Sequence, residues 1–486
     1  MSKPICIPPE LFPVIASFLP SRDAPRTLLS LALGNRRFYS IVLPLLYSRL
    51  VLGDENKTIS LLQRIVQEPE LGLAVREVHL HVMPIGITAR AMLFREKKLF
   101  TVISAFRDTL VNGKLVPRLK TLRIYLLDES YMISGQLAPP FWTALRTECP
   151  LLKTVVLSGM GNIWRCDVET QKGMGELLSI PGLSTLRLEP NPESLHYSGT
   201  RLALRKLPLL AESLHTLSLN AAFRDLRPLL STNFVNLKCL RLDTFAFGNG
   251  DIDYSMTDKF TEFFVRHPQL ESLTLANSTD SWLSDDIEEG FLPKLGHLKA
   301  TFDDVLRLKI VLPQLISLSV TKNCNHQVPY LLRSAIPNGL PRLRSLEIGK
   351  ALHEEITDSL DQSLLWYQET GNGHFRLQDN QNKKKSSAAF AHLRNLRRFY
   401  CVFHSVLAEL FRVSETLVRL CPELESVTAI GVDQNIPYPA AVVERTFEGG
   451  IMSGVRCVTG DEGVGMQIPA LDEDSFPSHL CSSDYW

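Results

Sequence analysis

Charge of one sign is what this chain has least of: 52 Lys and Arg stand against 52 Asp and Glu over 486 residues, a formal net charge of zero. A general nucleic-acid or membrane-surface binder would carry a basic excess, so neither class is expected. Cysteine is sparse, nine in all, with no C-x-x-C pair and no regular ladder of spacings. That pattern predicts reduced thiols in the cytoplasm or nucleus rather than a disulfide framework. No uncharged apolar run reaches the roughly 20 residues of a membrane helix. The segment Met1 to Leu11 carries Lys, Pro and Glu where a secretory leader needs an apolar stretch. A soluble intracellular protein is expected.

Catalytic signatures are missing too. The chain has no G-x-x-x-x-G-K-[S/T] loop, no G-x-S-x-G elbow and no H-E-x-x-H helix. Gly159-Met160-Gly161 and Gly460 to Gly465 lack the strand-turn-helix frame that cradles phosphate. His79 and His81 have the spacing of two ligands on one strand face, but no further ligand stands near them in sequence, and two exposed histidines beside a buried Leu80 are expected. The run Asp285-Asp286 with Glu288-Glu289 lacks a calcium-loop pattern and is expected to be a solvated turn. Neither an enzyme nor a cofactor or metal site is predicted.

What the chain does have is a phrase that returns: an apolar residue, two intervening residues, an apolar, one variable, an apolar. It runs Leu119/Leu122/Ile124, Leu152/Val155/Leu157, Leu183/Leu186/Leu188, Leu214/Leu217/Leu219, Leu237/Leu240/Leu242 and Leu270/Leu273/Leu275. It continues through Leu295/Leu298, Leu315/Leu318/Val320 and Leu343/Leu346/Ile348, then more weakly Leu396/Phe399 and Leu424/Val427; Val75/Val78/Leu80 is a candidate first member. The residue before the second apolar position is small and polar in Thr121, Thr154, Thr185, Thr216, Ser272, Ser317, Ser345 and Ser426. Alternation within the phrase is the period of a strand with one buried face. Helical stretches ending at Cys149-Pro150, His267-Pro268 and Cys421-Pro422 precede several phrases, since proline stops a helix.

Strand, loop, helix and proline at intervals of 20 to 33 residues describe an irregular leucine-rich-repeat-like solenoid of the α/β class. One interval is longer, 53 residues from Leu343 to Leu396. It holds a polar stretch near 370–388 that reads as a flexible insertion, and its Lys383-Lys384-Lys385 is a weak nuclear-import signal beside the plainer reading of a solvated loop. The array is expected over 116–436, with a linker and first units over 51–115 and a terminal cap and mobile tail over 437–486.

Residues 1–50 differ in kind and read as three short helices. Pro8-Pro9 and Glu10 suit a helix start; Leu11, Ile15 and Phe18 then fall on one face, and Pro20 closes the segment. A second helix is predicted from Asp23 or Thr27 through Leu28, Leu31, Ala32, Asn35 and Phe38, and a third element from Pro44 to Leu50. A module this small cannot bury all its apolar surface alone, so a partner chain is expected on it.

The runs I-P-P-E-L at 7–11, L-L-S-L-A-L at 28–33, N-R-R-F at 35–38 and L-P-L-L-Y at 43–47 together resemble an F-box, over about residues 5 to 50. The resemblance implies docking onto the S-phase kinase-associated adaptor of an SCF-type cullin-RING ubiquitin ligase. Carried over by position, the contacts would be Ile7 and Pro8, then Leu11 and Ile15 on the first helix, then Leu28, Leu29 and Leu31 on the second. Asn35 and Phe38 stand where that family often has Cys and Trp. The implied function is a substrate receptor holding an unknown target protein. A non-ligase scaffold and a receptor for a small anionic ligand are the alternatives.

Solenoids of this kind usually present their concave sheet face to a partner. The variable residues of the phrase are Arg123, Val156, Arg187, Ser218, Arg241, Thr274, Lys299, Ser319, Glu347, Tyr400 and Thr428. Arg123, Arg187, Arg241 and Lys299 form an alternating basic stripe that could read an acidic or phosphorylated segment. A solvated face with Glu189 and Asp243 as counter-charges is the plainer reading.

Overall fold

The computed structural model describes residues 8, 11–17, 24–34, 36–53, 55–82, 101–126, 137, 139–158, 168–189, 204–221, 223–243, 255–276, 281–285, 287–321, 340–352, 393–403, 421–431, 440–448 and 451–459. The chain divides into two compact units, Met1–Leu237 and Lys238–Trp486. Ile7, the insertion near 370–388 with its three lysines, and the stretch Leu407 to Leu420 lie outside the described residues.

The first unit opens with helices α1 (Phe12–Ser17), α2 (Ala24–Gly34) and α3 (Arg36–Tyr47). Phe12, Leu28, Ala32 and Val42 form their core, with Ala16, Leu31, Phe38, Ile41, Leu45 and Leu46 packed around it. Two boundaries differ from expectation. The second helix, expected to run through Phe38, is α2 up to Gly34, and Phe38 lies in α3; Asn35 between them is outside the described residues. The third helix contains Pro44 instead of starting there. An internal proline costs about 3 kcal/mol. Around it Val42 and Tyr47 are buried and Leu45 and Leu46 half-buried, and at about 1.5–3 kcal/mol per buried side chain their packing outweighs that cost.

The sheet begins at once. Strand β1 (Arg49–Leu52) follows α3 directly, and the Ser48 carbonyl accepts from the Arg76 and Glu77 amides at 2.8 and 2.9 Å. The sequence predicts Leu50 as the end of a helical element; its alternating burial in Arg49-Leu50-Val51-Leu52 is that of a strand. Helices α4 (Glu55–Gln67) and α5 (Pro69–Ala74) lead to β2 (Glu77–Val82). Arg64 of α4 donates to the Tyr39 hydroxyl at 3.1 Å and lies 5.7 Å from the Tyr47 ring centre, tying α3 to α4. A Cβ at Gly72 would sit 2.3 Å from the Leu115 carbonyl oxygen, so only glycine permits that approach of α5.

Strands β3 (Thr121–Leu126), β4 (Thr154–Ser158), β5 (Thr185–Glu189) and β6 (Thr216–Asn220) continue in parallel. The pairing register is that of the repeated phrase: Thr121, Thr154, Thr185 and Thr216 lie side by side, and next to them Leu122, Val155, Leu186 and Leu217, all fully buried. A one-residue slip would turn every leucine outward, so the burial fixes the register. Helices Pro139–Glu148 and Val168–Leu177 and a π-helical turn Phe106–Val111 return the chain between strands.

The second unit repeats this plan with β7 (Cys239–Asp243), β8 (Ser272–Ala276), β9 (His297–Thr301), β10 (Ser317–Thr321), β11 (Ser345–Leu352), β12 (Arg398–Phe403) and β13 (Ser426–Gly431), all parallel. The long interval does not break the ladder: Ser345, Leu346 and Glu347 pair with Arg398, Phe399 and Tyr400, and the register shifts only after Ile348. Strands β14 (Ala440–Glu448) and β15 (Ile451–Thr459) then pair antiparallel, which the sequence, searched for leucine phrases, does not predict. Their β-branched residues around Gly449-Gly450 are the signal that a repeat search passes over.

Candidate functional site

Two surfaces present themselves: the outer side of the helical module and the sheet face opposite the leucine rows. On the module, Leu11, Val14 and Ile15 are 47%, 51% and 39% exposed, and Leu29 and Leu33 of α2 are 51% and 78% exposed. Leu29 and Leu33 are four apart on one helix face, while Leu28 and Ala32, about 100° round the helix, take the adjacent face into the core. Single exposed apolar residues are ordinary; five on two short helices are more than solubility favours. Pro8 is exposed, and its carbonyl accepts from the Leu11 amide at 3.1 Å.

Of the residues that the F-box resemblance implies, Pro8, Leu11, Ile15 and Leu29 thus face solvent. Leu28, 7% exposed, and the half-buried Leu31 instead hold the module together. Val14 and Leu33 were not singled out from sequence. Their spacing from Leu11 and Leu29, three and four residues, was the signal that could have found them.

The sheet face is less open than expected. In the first unit His79, Arg123, Val156, Arg187 and Ser218 form one row across β2 to β6, and in the second Arg241, Thr274, Lys299, Ser319 and Glu347 form one across β7 to β11. The predicted basic stripe therefore belongs half to each unit. Val156, Ser218, Thr274, Ser319 and Glu347 are buried rather than solvated. The cause lies in the alternation itself. Each small residue sits between long side chains on strands about 4.8 Å away. Lys299 Nζ reaches Glu347 Oε1 at 3.9 Å across the intervening Ser319, which is 0% exposed.

The stripe cations have local partners. Arg241 contacts Asp243 at 3.5 Å, Arg123 donates to the Tyr125 hydroxyl at 3.4 Å, and Glu189 accepts from Ser218 at 2.9 Å. His79 is buried, not exposed, with its Nε2 3.4 Å from Glu77 and its ring 6.5 Å from that of Tyr125. The His79 imidazole, with Arg49 at 3.7 Å, holds the Glu77 carboxyl below its ordinary range. No three metal-ligating side chains converge among the described residues. Asp285 of the acidic run is exposed and pairs with Arg307 at 2.9 Å.

Because Glu347 is buried, removing its partner strands a carboxylate. Lys299→Met is expected to destabilise the second unit by about 2 kcal/mol, and adding Glu347→Met is expected to recover most of it. Urea unfolding of both single variants and the double variant measures this; equal, additive losses would mean that the two groups do not interact.

No helix among the described residues is long and apolar enough to cross a membrane. The sequence matches no protein-family model and no curated protein. Among solved structures the chain is similar to the leucine-rich repeat-containing protein LegL7 from Legionella pneumophila, at 15% identity and a TM-score of 0.36, over 68% of this chain and 87% of that one.

Proposed function

We propose that this chain is a substrate-recognition subunit of an SCF-type cullin-RING ubiquitin ligase. The outer side of α1 and α2 docks on the S-phase kinase-associated adaptor, and the leucine-rich-repeat-like sheet carries a target protein. The observation behind this reading is the exposure of Leu11, Val14, Ile15, Leu29 and Leu33 on a module whose own core is closed without them. A helical face of leucines four apart is a common way to fill a partner's hydrophobic groove. The protein then supplies proximity, not bond-making chemistry, and works in the cytoplasm or nucleus where the ligase does.

Leu11→Asp with Ile15→Asp tests it by affinity purification from cells with the proteasome inhibited. The adaptor should co-purify with the wild type and fall at least about tenfold in the variant, since apolar anchors of an interface typically cost 2 kcal/mol or more when lost. Both side chains lie outside the module's core, so thermal unfolding should change little. Equal recovery of the adaptor, or none with the wild type, would favour a scaffold that has kept the helical module without joining a ligase.

A further inference from the structure

Just before each strand from β1 to β5 stands one residue whose carbonyl receives two amides from the next repeat. The Arg76 carbonyl accepts from Lys120 and Thr121 at 2.7 and 3.0 Å, that of Lys120 from Lys153 and Thr154 at 2.9 and 3.0 Å, and that of Lys153 from Ser184 and Thr185 at 2.8 and 3.0 Å. These bonds set Arg76, Lys120 and Lys153 in a row along one end of β2, β3 and β4. The cationic rungs are about 4.8 Å apart.

Lys120 and Lys153 are exposed, as is Arg118 beside them. Arg76 donates only to the Leu73 and Val75 carbonyls, at 2.7 and 3.0 Å. Among the described residues no carboxylate pairs with any of the four. Burial and then the neighbouring Arg118 cation lower the Arg76 pKa, the second of these being the mark of like charges held together. In the second unit the same position holds no row of unpaired cations: Lys238 meets Glu271 at 2.9 Å, Arg397 meets Glu425 at 3.4 Å and Glu423 at 3.9 Å, and Arg344 stands between Ile316 and the paired Arg397.

The residue after each rung adds a second feature. Thr121, Thr154 and Thr185 are half-exposed, and their hydroxyls make no hydrogen bond among the described residues. We infer that the row Arg76, Lys120 and Lys153, with Arg118 and these threonines, docks an extended acidic segment of a partner protein lying across the strands. An extended peptide repeats its same-side residues about every 6.8 Å, so two or three Asp or Glu side chains span the three rungs. The cations supply charge-assisted bonds to carboxylate oxygens, and the hydroxyls supply further donors. Single-stranded nucleic acid fits less well, because no rung from Arg76 to Ser184 carries an aromatic on which a base could stack. The inference does not rest on adaptor docking.

The full chain, titrated with a fluorescein-labelled peptide of alternating Glu and Ser, should bind with an affinity that falls as salt is raised. Lys120→Glu with Lys153→Glu should weaken binding at least about tenfold, and Lys120→Gln with Lys153→Gln less so. Thr121→Val with Thr154→Val should cost about threefold, while Arg344→Glu, at the same position in the second unit, should change nothing. No binding to the wild type overturns the inference, as does binding unaffected by either lysine pair. So does single-stranded RNA that binds as tightly as the peptide and ignores the threonine variants, for the row would then be a general polyanion surface.

Discussion

Asp304→Ala should destabilise the second unit by about 3 kcal/mol or more, a large change for a single carboxyl. Asp304 is 0% exposed and accepts from the Ser281 hydroxyl at 2.5 Å, the Trp282 amide at 2.9 Å and the Thr301 hydroxyl at 2.8 Å. Thr301 is the N-cap of the helix Phe302–Arg307 and accepts in turn from the Asp304 amide. One side chain thus fastens the segment around Trp282 to the start of that helix. Trp282 packs edge-on to Phe260 with ring centres 5.0 Å apart, so the segment carries part of the core. Alanine would leave the Trp282 amide and the Thr301 hydroxyl buried without an acceptor, and the half-buried Ser281 hydroxyl with only the Leu283 carbonyl. Urea unfolding followed by circular dichroism gives the loss; a change under about 0.5 kcal/mol, the range of neutral surface substitutions, would mean that the network is dispensable.

The same carboxyl predicts a pH dependence. Burial raises the Asp304 pKa above its ordinary 3.8, and this outweighs the lowering effect of the bonds from Ser281, Thr301 and the Trp282 amide. The native state therefore holds this proton more tightly than the unfolded chain does. The stability it contributes is present in full below 3.8 and is lost as pH rises from there through the raised native value. Asp304→Asn, which resembles the protonated acid but cannot lose its charge-free state, should trail the wild type more at acidic pH than at neutrality. A deficit that grows toward neutral pH would show the native pKa to be lowered instead.

The leucine phrase was legible because burial and register depend on the same alternation: Thr121 pairs with Thr154, and Ser345 with Arg398, as the phrase requires even across the long interval. Strands β1, β14 and β15 were not legible from it. Leu50 stands at the end of an apolar helix, where periodicity alone does not separate helix from strand, and β14 and β15 carry no leucine phrase. For the site, helical spacing put Leu11 and Ile15 on one face, and the F-box resemblance implied Leu28, Leu29 and Leu31 together; neither could say that Leu29 faces outward and Leu28 inward, since these neighbours differ only in which side the rest of the module covers. The basic stripe illustrates a different limit. Its alternation of large and small residues reads as a recognition pattern along one chain, whereas across strands it lets Lys299 and Glu347 close over Ser319. The unpaired cations lie one residue outside the strands, at Lys120 and Lys153, where only the pairing of successive repeats brings them into a row.

Trp142→Ala should cost the first unit about 3 to 5 kcal/mol, the range for deleting a large buried aromatic side chain. Trp142 lies in the helix Pro139–Glu148, is 0% exposed, and meets the Phe141 ring at 4.9 Å in an edge-on contact; Phe141 in turn lies 6.3 Å from Phe106 of the preceding repeat. Its indole N–H donates to the Leu137 carbonyl at 2.8 Å. Trp142 thus ties its helix to the chain that leads into it and backs Phe141, which makes the contact with the preceding repeat; in a stacked array stability is a sum over such neighbour interfaces. Trp142→Phe separates the two contributions: it keeps most of the apolar contact and loses the hydrogen bond, for an expected cost of about 1 to 2 kcal/mol. Leu29→Ala, on the exposed side of α2, should by contrast change stability by less than about 0.5 kcal/mol. If Trp142→Ala unfolds at the same urea concentration as Leu29→Ala, the repeats of the first unit do not depend on one another's packing, and the N-terminal helices could be varied without regard to the sheet they adjoin.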